Sequence, residues 1–320
     1  MEKKITRLRI GTRGSKLAQW QADWVGNHLK EAWPDLTIDR ITIKTSGDMI
    51  LDVPLSKIGG KGLFVKEIEN ALLDGRIDLA VHSMKDVPIE TAVGLAIPCV
   101  TEREDPRDVL VSRNGIGLKG LPPKARIGTS SLRRQVQLLH FRPDLVMVPL
   151  RGNLDTRLRK LEELNLDAIV LASAGMKRMG LIDRATETIP IEICLPAIGQ
   201  GALAIETRVD APEVCERIAF LNHPETALTM RAERAFLRTI EGGCQVPVAA
   251  YARLVKGSLE IEGMVASLDG KEMIRHHLKG KPDEAESLGT QLAESILSRG
   301  GGQILRAIYE KGKTEVIGHR

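Results

Sequence analysis

At 320 residues, 42% hydrophobic and 28% charged with a formal net charge of +4, the chain is long enough for two or three domains, and its basic excess is too slight to argue for nucleic acid. Only 3% of residues are aromatic, which counts against single-strand binding by base stacking. The four cysteines, Cys99, Cys194, Cys215 and Cys244, include no Cys-x-x-Cys pair, the seven histidines show no ligand spacing, and no apolar run could span a bilayer, so no metal, disulfide framework or membrane segment is expected.

The chain opens with Met-Glu-Lys-Lys-Ile-Thr-Arg and passes into a strand over Leu8–Thr12 without an apolar leader, and a cytoplasmic protein is expected. Arg13-Gly14-Ser15 is a turn, with Ser15 suited to cap the helix from Leu17 to Trp33, which Pro34 ends. A second strand covers Thr37–Lys44. Gly59-Gly60-Lys61-Gly62 then leads into a helix through Phe64, Ile68, Ala71 and Leu72, closed by Gly75. The strand before Lys85 follows, and the order β-α-β-α-β predicts a parallel sheet. A second α/β unit follows Glu104-Asp105-Pro106-Arg107-Asp108. It has strands at Arg126–Thr129, Leu145–Leu150 and Asp167–Ala172, helices over Ser130–Phe141 and up to Leu164, and a turn holding Gly175–Met179. Gly199–Glu206 reads as a glycine-flanked strand. Beyond Pro224 come a long helix over Glu225–Thr239, then alternating strands at Val246–Leu254, Leu259–Ala266 and Met273–Leu278. Lys256-Gly257 and Asp269-Gly270 mark their hairpins, a helix over Asp283–Leu297 covers them, and fraying is expected from Lys311.

The polar run His82-Ser83-Met84-Lys85-Asp86 follows the apolar Leu79-Ala80-Val81 at once, so charged groups sit at the carboxyl end of a strand, where open α/β sheets bind ligands. Four other junctions combine a polar turn, a helix N-terminus and nearby cations: Arg13-Gly14-Ser15, Gly59-Gly60-Lys61-Gly62, Thr129-Ser130-Ser131 with Arg133-Arg134, and Arg151-Gly152-Asn153 with Arg157. Free backbone N–H groups, the helix dipole and planar guanidiniums together suit carboxylate or phosphate. One basic turn is commonly plain solvated surface; four point to a ligand with many negative charges, held between two lobes. Neither a Walker loop nor Gly-x-Gly-x-x-Gly is present, which weakens nucleotides, and composition does not choose between polycarboxylate and phosphate.

Val81–Pro88, Gly128–Arg134, Leu150–Asn153 and Glu241-Gly242-Gly243-Cys244 resemble the porphobilinogen deaminase (hydroxymethylbilane synthase) family, as do Gly59–Phe64, Arg103–Asp108 and Leu195–Gly201, in the family's order and over nearly the whole chain. The resemblance implies an α/β fold of two periplasmic-binding-protein-like domains with mixed, mainly parallel sheets, plus a small α+β C-terminal domain with a three-stranded antiparallel sheet. Domain 1 would take residues 1–101 and 202–219, the strand near Gly201 returning to the first sheet; domain 2 would take 105–198 and domain 3 224–320. It further implies a monomeric transferase that condenses four porphobilinogen molecules on a dipyrromethane held by a thioether to Cys244, in tetrapyrrole (haem) biosynthesis. Read without the family, Cys244 is simply a small residue in a turn.

By the same resemblance Asp86 is the catalytic acid. Arg13, Ser15, Lys85, Thr129, Ser131, Arg133, Arg134, Arg151, Gly152, Asn153, Arg157 and Arg178 would bind carboxylates of cofactor and substrate. Lys57 and Lys61, on or near the family's mobile loop, Phe64, which could stack on a pyrrole or pack in the core, and Gln200 would attend the substrate. For Asp86 the competing reading is a structural ion pair with Lys85 or an arginine. The competing reading for the whole chain is a two-lobed solute-binding or effector-sensing module without catalysis, which fold alone does not exclude.

Overall fold

The computed structural model describes residues 5–46, 65–240 and 246–317. They gather into two compact units: one takes in residues up to Asp105 with Lys177–Gly180 and Gln200–Ala227, the other Pro106–Met176, Leu181–Gly199 and the chain from Leu228 onward.

In the first unit, β1 (Arg7–Thr12), β2 (Thr37–Thr42), β3 (Leu79–Ser83), β4 (Leu95–Val100) and β10 (Leu203–Arg208) form a sheet in the order β2-β1-β3-β10-β4. The strand near Gly201 therefore does return to the first sheet. β10 runs antiparallel to both its neighbours while the other four strands run one way. Alternation along β3 and β10 sends Leu79, Val81, Leu203 and Ile205 to one face, where they pack with Val25 and Leu29 of α1 (Lys16–Ala32). Ala80 faces the other way, onto Ile68, Ala71 and Leu72 of α2 (Lys66–Leu73). Gly75, at φ +66°, ends the turn after α2 in a left-handed conformation that costs glycine little.

The second unit repeats this arrangement. Strands β5 (Asp108–Ser112), β6 (Arg126–Gly128), β7 (Val146–Val148), β8 (Ala168–Ala172) and β9 (Glu187–Thr188) lie in the order β7-β6-β8-β5-β9, with β5 the antiparallel member. Helix α3 (Leu132–Phe141) covers one face through Leu138, and α4 (Leu154–Glu163) the other through Leu158 and Leu161. The turn expected over Gly175–Met179 is instead the C-terminal part of helix α5 (Ser173–Arg178), whose Met176 is fully buried; the left-handed Gly180 lies just beyond it. Burying that methionine holds as helix what local composition reads as a turn.

After α6 (Pro212–Ile218) of the first unit, α7 (Pro224–Thr239) leads to the antiparallel sheet β11 (Val248–Val255), β12 (Ser258–Ala266) and β13 (Met273–Gly280). Lys256 and Gly257, at φ +49° and +77°, make the first hairpin turn. Phe236 of α7 is wholly buried against Gly263, where any Cβ would lie 2.7 Å from the ring. Helices α8 (Ala285–Ile296) and α9 (Gly302–Ile317) close this core through Leu292, Ile304 and Leu305. Helix α9 extends to Ile317, past Lys311, where fraying was expected. A seam of Val136 and Leu195 against Ala249, Met264 and Ala266 joins this sheet to the one before it.

Candidate active site

Because β1 and β3 are parallel neighbours, their carboxyl ends share one sheet edge. At the end of β1 stand Arg13, half-buried, and Ser15, which caps α1 by accepting a hydrogen bond from the Ala18 N–H at 3.3 Å. At the end of β3 the chain tightens into the 3₁₀ turn Met84–Asp86. Met84 donates its N–H to Ala202 O at 3.0 Å, and Ser83 Oγ accepts from Gln21 Nε2 at 2.9 Å. Lys85 and Asp86 are both exposed on this turn. Lys85 Nζ donates to Gln200 Oε1 at 3.3 Å, whereas the Asp86 carboxylate takes part in no hydrogen bond or ion pair among the described residues. The structural ion pair weighed for Asp86 is therefore not formed there.

Gln200 is buried, with its carbonyl accepting from Arg103 Nε at 2.9 Å. Next to it, Gly201 sits at φ +101° and a Cβ there would lie 2.3 Å from Glu104 O, so only glycine fits. Arg178 Nη2 donates to Gly201 O at 2.6 Å. Burial pulls the Arg178 guanidinium down to about 10, against the opposing pull of Glu104. Glu104 in turn is held below the usual carboxylate range by its hydrogen bond from Lys177.

In the second unit the parallel trio β7-β6-β8 likewise brings three junctions to one edge. Thr129 is buried and its Oγ1 accepts from the Ser131 N–H at 3.2 Å, while Ser131 opens α3. Gly152 stands at φ +117°, and Asn153 Oδ1 caps α4 by accepting from Thr156 N at 2.9 Å. Arg151 and Arg157 are half-buried, and Arg157 Nε donates to Gly152 O at 2.8 Å.

Arg133 and Arg134 are different. They are 6% and 5% exposed and share one carboxylate: Arg133 Nη2 reaches Asp108 Oδ2 at 2.8 Å and Arg134 Nη2 reaches Asp108 Oδ1 at 2.7 Å. Arg133 Nη1 also donates to Leu195 O and Arg134 Nη1 to Val170 O. Arg134 Nε is buried with no partner. Two guanidiniums against one carboxylate leave a positive excess, and the adjacent Cys194 thiol does not offset it, because burial pushes it up to about 12.

Of the residues predicted from sequence, Lys57, Lys61, Phe64 and Cys244 lie outside the described residues. The others fall at strand carboxyl edges or, for Gln200 and Arg178, on the segment that meets Lys85 and Gly201. Three buried acids escaped the sequence reading. Asp108 was quoted only within a motif. Glu206 hydrogen-bonds His82, their atoms Oε2 and Nε2 lying 3.0 Å apart. Glu233 accepts from Gly199 N and Ala252 N at 2.8 Å each. Glu206, a lone acid after the apolar Ala202–Ile205, carries a visible signal, since such a group needs partners; Asp108 and Glu233 stand among other charged residues and carry none.

These features define an α/β protein whose parallel strands end in cationic, helix-capped turns, an arrangement that receives anions. Residues 8–216 match the model of the porphobilinogen deaminase dipyromethane cofactor binding domain, and 227–298 that of the porphobilinogen deaminase C-terminal domain. The porphobilinogen deaminase of Pelobacter propionicus is 56% identical over 305 residues, covering 95% of this chain and 98% of that protein. That of Geobacter sulfurreducens is 54% identical over 307 residues, covering 96% of each. Among solved structures, the periplasmic aliphatic sulphonate binding protein of Escherichia coli is similar at a TM-score of 0.39 and 16% identity, over 74% of this chain and 71% of that one. The chain belongs to the porphobilinogen deaminase family.

Proposed function

We propose that Asp86 carries the chemistry of this family in the chain and that the cations at the strand ends of each unit bind carboxylates of the cofactor or the substrate. The family activity is hydroxymethylbilane synthesis: a transferase joins four porphobilinogen molecules head to tail with loss of ammonia and releases the linear product by hydrolysis. Each porphobilinogen brings two carboxylates, so the charge to be neutralised grows with the chain. The observation that supports Asp86 most is its exposed carboxylate beside Lys85, which makes no hydrogen bond or ion pair among the described residues. A fixed negative charge there opposes the positive charge that develops on porphobilinogen as its amine departs, and can take the proton displaced when the new bond forms.

The dipyrromethane cofactor supplies the pyrrole carbon to which the first substrate is joined. The residues fit a group of its charge, because the Arg133–Arg134–Asp108 cluster has a positive excess and a buried Arg134 N–H without a partner. We assign Arg133, Arg134, Thr129, Ser131, Arg151, Arg157, Arg13, Ser15, Lys85 and Arg178 to its carboxylates and the substrate's, and the thioether to Cys244. Cys99 and Cys194 support that choice. Both are fully buried and pushed up to about 12, leaving neither thiolate nor room for an adduct. The three-domain division given above, a cytoplasmic location and a monomeric state belong to the same proposal; no described helix is long and apolar enough to cross a membrane.

Intact mass and turnover test it together. The wild-type protein is expected to weigh two porphobilinogen residues more than its sequence and Cys244→Ala to lose that increment. Asp86→Asn should keep the increment and the fold while losing about 10²-fold or more in turnover. Normal turnover in Asp86→Asn would remove Asp86 from the mechanism, and an active protein of unmodified mass would remove the primer.

A further inference from the structure

The turn bearing Lys85 and Asp86 leaves β3 one residue after His82, and His82 is buried to 6% exposure against Glu206, itself 2% exposed. In the antiparallel pairing of β3 with β10, His82 stands opposite Ala204 and Glu206 opposite Ala80, so the two side chains meet diagonally across one face. Their 3.0 Å hydrogen bond is a polar tie in the face that otherwise buries Ala80 against α2. Glu69 of α2 lies near enough to feel both: burial and then Glu206 raise its carboxyl, and His82 lowers it. Buried polar groups in such a place persist only when mutually satisfied.

The same stretch of chain holds the turn at two more points, Ala202 O on Met84 N–H and Gln200 Oε1 on Lys85 Nζ. Residues 200–206 thus grip the end of β3 at its last inward side chain, at the first residue of the turn and at the lysine. We propose that His82 and Glu206 are positioning residues: their bond fixes the direction in which β3 exits and so holds the Asp86 carboxylate where the reaction needs it. Neither touches substrate. The inference rests on the catalytic reading of Asp86 and adds a cause for its placement. An exposed aspartate that makes no hydrogen bond among the described residues depends on its backbone for its direction, and misplacing a catalytic group by about 1 Å can cost about 10²-fold.

Two polar substitutions of similar burial separate positioning from mere stability. His82→Gln places an amide nitrogen near the Nε2 position and keeps the bond to Glu206; His82→Asn is too short to reach it. His82→Gln should retain turnover within about threefold, while His82→Asn loses about tenfold or more in kcat with KM changed less than twofold and the cofactor mass intact. A further pair, His82→Leu with Glu206→Leu, removes both partners and leaves no orphaned charge. Its thermal midpoint should recover relative to His82→Leu alone while kcat stays low. Equal turnover in the Gln and Asn variants, or full turnover in the double Leu variant, overturns the inference. Asp86→Asn is measured alongside. If it alone is inactive, the catalytic reading stands and only the positioning role has failed; if it too is active, both fall.

Discussion

After β3 of the first sheet Asp86 stands exposed, with no hydrogen bond or ion pair among the described residues, in a turn held by backbone and neighbouring side chains. The second sheet buries its acid, Asp108, at the start of its antiparallel strand and closes two arginines onto it. Both sheets have one strand pattern, four strands one way and one the other, yet these two aspartates are placed in opposite ways. An acid that must act on a passing substrate is kept in water, where ionisation is cheap and the group is accessible. One that must organise arginines is buried, where each bond is strong and any loss is severe. In the proposed assignment the same residue type is catalytic at the end of one sheet and architectural in the other, and burial separates the two roles.

The largest expected effect tests that contrast directly. Asp108→Asn removes the carboxylate that pairs with two buried guanidiniums and should destabilise the protein by about 3–5 kcal/mol, seen as a lowered urea midpoint. Asp86→Asn should leave the midpoint within about 0.5 kcal/mol, as expected for an exposed side chain with no hydrogen bond or ion pair among the described residues. Equal shifts in the two variants would erase the distinction between the two acids.

Most of the fold could be read from the sequence because its signals are local. Ser15 before an apolar-periodic run, Gly75 after one, and Lys256-Gly257 between alternating strands each act within a few residues. The membership of β10 in the first sheet was reached only through the resemblance, since pairing across more than a hundred residues leaves no local trace. The candidate site divided the same way. Cationic turns at strand ends were visible, but the burial of Arg133 and Arg134 was not. A guanidinium at a helix start looks alike whether it faces solvent or an aspartate 25 residues earlier in the chain. His82 and Glu206, 124 residues apart, are likewise partners only after folding.

A second, smaller pair of effects compares the helix caps at the two edges. Ser15→Ala and Asn153→Ala each remove a side-chain acceptor from a helix N-terminus and should each cost about 1 kcal/mol in thermal or urea unfolding. If both turns also bind ligand carboxylates, both variants should raise KM for porphobilinogen. A variant that loses stability with KM unchanged marks its turn as a cap alone, and would show that the two edges differ in function as well as in burial.

The smallest effect is in the sign of the pH dependence. Glu69, behind the β3 turn, has its carboxyl raised above 4.5 by burial and then by Glu206. The folded state therefore holds that proton more tightly than the unfolded chain, and stability falls as pH climbs through the window above 4.5. Asp144, at the end of α3 in the second unit, behaves in reverse. Its hydrogen bond from Arg142 holds it well below 3.8, so its contribution is present above 3.8 and fades as pH falls further. Urea midpoints across pH 3–7 should show Glu69→Gln gaining on the wild type as pH rises, with no difference at the acid end. Asp144→Asn should lose relative to the wild type as pH rises from the acid end, with a plateau above about 4. Slopes of the same sign in both variants would mean that burial and Glu206 together do not hold the Glu69 proton in the folded state, and that the two carboxyls do not differ in the way their surroundings require.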